Sequence, residues 1–330
     1  ILNHVVASGF LSITFIPIFA NYLAQGREDE GWRVFSIVMT HFGLLLLVLI
    51  GVAVIFADGL VTLLAPGLTE APLKAAAVRM TRVIIPAQFF FFTGGLFTAV
   101  QFAKERFALP ALAPLVYNLG IIIGGLALGP LIGMEAFSWG VLVGAFVGNF
   151  ALQFIGARRV GMPLYVNLDW RHPALRTYIK LTLPLMLGLT MMFSTEIFLK
   201  FFGSYLDRGG IAGLNYGLRI MLMLVAFFGQ AVGVASFPYL ARLAAEKKIT
   251  DMARLLDDTL RYLTLVIPLA VCVKVLRRDV VVVLFQHGRF DAAATEMTAG
   301  LLVFLLLGAF AFAAQTVVVR GFYALQNTLF

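Results

Sequence analysis

The sequence predicts an all-α, polytopic membrane protein built as two parallel-repeat halves, and three observations carry that prediction. Of its 330 residues, 61% are hydrophobic and only 13% are charged, with a mean hydropathy of +0.95. A soluble domain carries about 25% charged residues, so this chain lacks the charge to cover a water-facing surface. Its apolar residues fall into runs of about 20, the helix length that a hydrocarbon core of roughly 30 Å demands. Finally, the chain repeats itself at a constant offset of 221 residues, pairing Pro17 with Pro238.

Taken in order, the apolar runs give about nine spans. The first covers roughly 1–24 and ends at QGREDEGWR; the second, 35–57, leads into the loop DGLVTLLAPGLTEAP. The third, 77–102, stops at the charged turn KERF, and the fourth, 109–130, opens on LPALAPLVYN. The fifth covers 135–157, and the basic link RRVGMPLYVNLDWRHPALRTYIK then opens the sixth, 174–205. Spans seven, eight and nine cover 211–237, 258–285 and 294–326. Between seven and eight, ARLAAEKKITDMARLLDDTLR is amphipathic and charged, which suits a helix lying in the membrane interface.

Several function classes drop out. With Cys272 as the single cysteine, neither a disulfide framework nor a thiolate metal cluster forms within the chain. His4, His41, His172 and His287 show no ligand spacing. No carboxylate pair and no nucleophile with its base marks an enzyme, so neither catalysis nor a cofactor is expected. The net charge of +8 reads as basic cytoplasmic loops, not as a nucleic-acid surface.

Loop charge sets the orientation. One set of alternate loops holds Arg27, Arg33, Lys104, Arg106, Arg158, Arg159, Arg171, Arg176, Lys180, Arg242, Lys247, Lys248, Arg254 and Arg261. The other holds Lys74, Arg79, Arg82, Arg208, Lys274, Arg277, Arg278 and Arg289. The richer set is expected in the cytoplasm, so the first span runs from outside to inside.

The 221-residue offset also pairs Ala20 with Ala241, Arg33 with Arg254, Asp58 with Asp279 and Gly67 with Gly288. Spans one to three therefore answer spans seven to nine. An even displacement of six spans keeps orientation, as in transporters with parallel repeats about the membrane normal. The sixth span has no earlier counterpart, and the fourth and fifth have no later ones. Together with a start on ILNHVVASGF, in mid-helix and without Met, this predicts at least three further helices outside the stretch.

Three ionisable residues, Glu196, Lys200 and Arg219, lie inside apolar sequence. A charge at bilayer depth is expensive and normally faces a bundle interior or a water-filled cavity. Guanidinium is permanently charged and forks onto phosphate oxygens. Arg219 is thus either a substrate contact or a structural arginine that pairs with a carboxylate or snorkels to the interface. Glu196 and Lys200 are spaced i,i+4 on one helix face. Either they neutralise each other, or Glu196 serves an ion or proton, or Lys200 supplies a second phosphate contact. Arg82, shortly before Pro86, is an interfacial anchor or a gate contact.

A family resemblance rests on motifs in order along the chain: GFLSITFIPIFANYL at 9–23, LAPGL at 64–68, MTRVIIP at 80–86 and ERFALPALAPLVYNLGII at 105–122. It continues with SFPYLARLAA at 236–245, LFQHGRFDAAAT at 284–295 and RGFYALQNT at 320–328. The chain resembles the lipid II flippases of the MurJ/MviN family, within the MOP exporter superfamily. That resemblance implies fourteen transmembrane helices in two lobes around a central cavity, of which this stretch holds the second to the tenth. It implies an N-terminal lobe over 1–157, a cytoplasmic link over 158–173 and a C-terminal lobe over 174–330.

The resemblance further implies alternating-access transport of the undecaprenyl-pyrophosphate-linked peptidoglycan precursor across the bacterial plasma membrane. The implied driving force is the membrane potential or an ion gradient; the implied partners are that glycolipid, membrane lipids and other cell-wall synthesis proteins. Arg219 matches a position where a cavity arginine binds pyrophosphate. Asn3, His4 and Ser8 fall where well-known members carry paired arginines and then Glu–Gly; here the stretch reads NHVVASG. That departure keeps a second cargo open: another lipid-linked oligosaccharide, or small-molecule/ion antiport.

Overall fold

The computed structural model describes the backbone of residues 10–163 and 165–324; side chains are described there except at 10–13, 184–195, 323–324 and scattered positions between 230 and 245. Asn3, His4 and Ser8 lie outside the described residues. Packing divides the chain into two compact units, Ile1–Phe201 and Phe202–Phe330. Among the described residues both are helical, with no strand.

In the first unit, α1 (Phe10–Ala24) and α2 (Glu28–Ile55) are followed by the short α3 (Ala57–Leu64). Next come α4 (Ala71–Ile84) and α5 (Ala87–Ala103), two halves of the third span. They part at Pro86, which has no N–H to continue the helical ladder. The fourth span is α6 (Ala108–Ile132). The fifth is α7 (Glu135–Gly144), a π-helical segment over Ala145–Ala151, and α8 (Leu152–Arg159). Then α9 (Pro173–Gly203) begins. An aromatic cluster holds the unit together: Phe15, Phe19, Trp32, Phe35, Phe92 and Tyr178 are all buried, with Phe19 edge-on to Trp32 at 4.7 Å.

The sequence-derived division at 158–173 and the packing division at Phe201/Phe202 differ by most of α9. Its opening turns pack into the first unit: Ala174 and Tyr178 join the aromatic core, and the Thr14 and Thr182 hydroxyls meet at 3.1 Å. The link before it is strapped down as well. Arg33 pairs with Asp169 at 3.1 Å, His172 Nε2 meets Glu30 at 2.8 Å, and Trp170 stands edge-on to His41 at 4.1 Å.

α6 and α7 meet along glycine. A Cβ placed on Gly120 would lie 2.5 Å from the Gly144 Cα, and one on Gly124 would lie 2.5 Å from the Gly140 Cα. Lipid tails are as apolar as leucine, so helices associate there by close packing, which small residues at four-residue spacing permit. Pro110 and Ala113 are buried near the start of α6, and its other face points outward, with Leu115, Ile123, Leu126 and Leu131 exposed. That surface fits lipid, not water.

The second unit runs α10 (Gly210–Val225), a π-helical segment over Ala226–Gln230, α11 (Ala231–Ala245), α12 (Ile249–Leu263) and α13 (Val266–Val275). It closes with α14 (Arg277–Phe285), α15 (Ala292–Leu307) and α16 (Ala309–Ala324). Met221, Val225, Leu263, Leu302 and Val317 form its core. As expected of an interfacial helix, α12 buries Met252, Thr259 and Leu263 and exposes Arg254, Asp257 and Arg261. In the turn before it, Lys248 and Arg242 hold the Glu246 carboxyl down at about 2.

The repeat is written into the backbone. α1 and α11 have the same bounds displaced by 221, and α3, α4 and α5 answer α14, α15 and α16 within two residues at each end. Even the turn after α1 recurs. Gly26 has φ +69°, its N–H bonds Leu23 O and the Arg27 N–H bonds Tyr22 O. At the equivalent place Lys247 has φ +56°, its N–H bonds Ala244 O and the Lys248 N–H bonds Leu243 O. This is a left-handed C-cap, in which glycine is the preferred residue.

Of the nine spans read from sequence, five described helices are long and apolar enough to cross a membrane, six if α15 and α16, bent by 46°, count as one. The eighth departs most from its expected form. Its run over 258–285 is broken into the end of α12, α13 and α14. Pro268, two residues into α13, cannot donate to the carbonyl of Thr264, and there the helix gives way.

Candidate functional site

Arg219 is placed by the glycines of its own helix. Gly213 and Gly217 turn one face of α10 onto α15, where a Cβ would meet Leu301 and Leu305 at 3.1 and 3.0 Å. Arg219 sits on the opposite, exposed face, in a stripe with Ala212, Asn215 and Leu222. It has no hydrogen bond or ion pair among the described residues, while Asn215, one turn earlier, donates its Nδ2 to Ile211 O at 2.8 Å. An arginine with free donors on an exposed face can fork onto an oxyanion without breaking an existing bond.

Glu196 and Lys200 are brought together on α9, 3.8 Å apart and each nearly half exposed (45% and 46%). At that separation and exposure the attraction is weak, about 0.5 kcal/mol or less. Arg82 lies exposed in the last turn of α4 with no partner among the described residues. One turn earlier, Arg79 ties α4 to α7 through Glu135 at 2.6 Å. Among the described residues no group of three His, Cys, Asp or Glu side chains could hold a metal.

Two residues were missed by sequence reasoning. Asn215 precedes Arg219 by four, a spacing that puts both on one helix face. Arg320, within the motif RGFYALQNT, is an arginine inside the ninth apolar run and deserved the same weight as Arg219. On α16 it is partly buried, and its guanidinium occupies the space that a side chain at Gly233 would need.

A family model described as "Lipid II flippase MurJ" matches residues 1–329. The chain belongs to the MurJ family. Among curated relatives, a lipid II flippase MurJ of Burkholderia cenocepacia is 27% identical over 99% of this chain and 65% of its own length. A probable lipid II flippase MurJ of Rhizobium tropici is 26% identical over 99% of this chain and 63% of its own. The chain thus spans less than two thirds of the length of those relatives. A solved structure of lipid II flippase MurJ in an inward closed conformation superposes with a TM-score of 0.81 at 22% identity, covering 99% of this chain and 67% of that one. An inward-facing multidrug resistance MATE family transporter of the MOP superfamily superposes at 0.68 with 16% identity, covering 100% and 77%. The chain therefore shares its fold with both of these solved structures, and it is a multi-pass helical protein of the inner membrane.

Proposed function

We propose that the chain forms most of the core of a flippase that moves the undecaprenyl-pyrophosphate-linked peptidoglycan precursor across the plasma membrane by alternating access. What supports the reading is the match of the lipid II flippase family model along residues 1–329. In this reading 1–157 and 174–330 are the lobes, joined by 158–173, and they rock about the cargo. Arg219, on its exposed stripe and without a partner among the described residues, receives the pyrophosphate, and the polyprenyl tail stays in lipid. The i,i+4 pair of Glu196 and Lys200 neutralises itself and keeps α9 hydrated. Membrane potential or an ion gradient drives the cycle, with no bond made or broken by the protein.

The test is complementation of cells depleted of their own lipid II flippase, using the full-length gene. Growth and surface exposure of lipid II are scored for wild type, Arg219→Ala and Arg219→Lys at equal membrane levels. Wild type restores both, Arg219→Ala does not, and Arg219→Lys falls between because an ammonium cannot fork onto two oxygens. Rescue by Arg219→Ala removes that residue from the site. No rescue by inserted wild type transfers the cargo to another lipid-linked oligosaccharide or to small-molecule antiport.

A further inference from the structure

A cavity with arginines in its lining opens in the second unit, where the first turns of α10 and α15 come together. Its volume is about 430 Å³, and Arg208 and Arg289 are among its lining residues. Neither arginine has a hydrogen bond or ion pair among the described residues. Tyr216 makes a stiff wall, its ring 4.8 Å from Phe285 and 5.1 Å from Phe290.

Three features of this cavity ask for an anion. The two guanidiniums outnumber its one carboxylate, Asp291, whose Oδ1 is already engaged in capping α15 by accepting from the Ala294 N–H at 2.9 Å. The start of α10 has no such cap. Gly209 at its N-cap has φ +95° and offers no side-chain acceptor; the Gly210 N–H is taken by Asp207 O at 2.8 Å, which leaves those of Ile211 and Ala212 as donors in the first turn beside the cavity. Independently of both, Thr298 lines the cavity at 1% exposure, and its hydroxyl is buried with no hydrogen-bond partner among the described residues. A buried polar group without a partner costs about 1–3 kcal/mol, a penalty that a ligand oxygen removes.

We propose that this cavity binds a phosphate-class anion, held by Arg208, Arg289, the first turn of α10 and the Thr298 hydroxyl. The loops that carry both arginines belong to the set that charge bias places outside. The cavity also continues the stripe of Arg219: Ala212 in its lining is seven residues before Arg219 on the same face, about 10 Å along the helix. It is a separate station from Arg219, and its chemistry does not depend on what the protein transports.

The test uses the full-length protein in nanodiscs, with Arg219→Gln as background so that the intramembrane arginine does not answer for the cavity. Inorganic pyrophosphate is titrated by calorimetry in phosphatidylcholine discs. Binding that weakens about tenfold or more in R208Q/R289Q, and steeply with salt, supports the proposal; tenfold corresponds to the loss of a single charge-assisted bond. Thr298→Val, which keeps shape and charge and removes the unpartnered hydroxyl, weakens binding while the melting temperature of the ligand-free protein rises. Repeating the titration with phosphatidic acid in the disc separates the sources. Competition by the lipid assigns the site to a lipid phosphate head group, and unchanged binding assigns it to a soluble phosphate. Pyrophosphate binding that is equal in R208Q/R289Q and its background, or absent from that background at millimolar concentration, overturns the proposal. A folded R208K/R289K protein that binds within a few-fold of the background guards against misfolding as the cause of the loss.

Discussion

Replacing Gly124 with alanine adds one methyl group to a seam that has no room for it. The new Cβ would lie 2.5 Å from the Gly140 Cα and 3.0 Å from its N, and both are backbone atoms that cannot rotate away. Carbon atoms rest about 3.5–4.0 Å apart, so α6 and α7 must separate by roughly 1 Å. The same separation opens the Gly120–Gly144 contact, because both lie on one seam. Overpacking of this kind costs about 1–3 kcal/mol. Alanine recovers up to about 1 kcal/mol through helix propensity, which leaves a net destabilisation of roughly 1–2 kcal/mol. Gly51→Ala is the internal control: it makes the same chemical change inside α2, where nothing lies within 4 Å of the new methyl. It should stabilise by about 0.5–1 kcal/mol. Unfolding of the full-length protein in mixed SDS and neutral-detergent micelles measures both. Gly120→Ala added to Gly124→Ala should cost less than its single value, since the helices are already apart. If Gly124→Ala proves as stable as Gly51→Ala, the seam is not close-packed and the reasoning fails.

Lys247→Gly relieves a left-handed residue that the first repeat fills with Gly26; it should gain about 1 kcal/mol in the same assay. Gly26→Ala should lose a similar amount, although its Cβ meets nothing within 4 Å, because φ and not space is limiting. A double-mutant cycle on Glu196 and Lys200 should return a coupling no larger than about 0.5 kcal/mol; a larger value would mean the pair is desolvated in the membrane. The ion pairs with Lys248 and Arg242 hold the Glu246 carboxyl at about 2, below its ordinary value of 4.5. Its stabilisation is therefore complete above pH 4.5 and disappears as pH falls toward 2, and Glu246→Gln should flatten acid unfolding only within that window.

The repeat was open to reading because it preserves residues that shape the backbone. Pro17 with Pro238 and Gly67 with Gly288 mark turns and bends, and the bounds of α1 and α11 follow at the same displacement. Breaks inside spans were harder. Pro268 is legible as a residue that can kink its helix, but in so apolar a run nothing marks that the span parts into separate helices. The π-helical segments at Ala145–Ala151 and Ala226–Gln230 have no local signature, since they come from how a helix settles against its neighbour. At α6 and α7 the glycine spacing was visible, but that Gly124 faces Gly140 depends on hairpin register. The site divides the same way. An arginine within apolar sequence singled out Arg219, whereas its freedom from partners, and the cavity between Arg208 and Arg289, emerge only once α10 and α15 are packed.

The bilayer, not the protein, is the main solvent of α6, whose most apolar stretch has no buried residue. Its 25 residues measure about 37 Å, several ångströms more than the roughly 30 Å of hydrocarbon they cross. The excess must be taken up by leaning or by letting the ends stand clear of the lipid. Because the glycines lock α6 to α7 backbone against backbone, neither helix can lean alone. The hairpin therefore leans only as one piece and together with α4, to which Arg79 and Glu135 tie α7. Longer acyl chains should raise it upright, making this part of the molecule a gauge of the lipid around it.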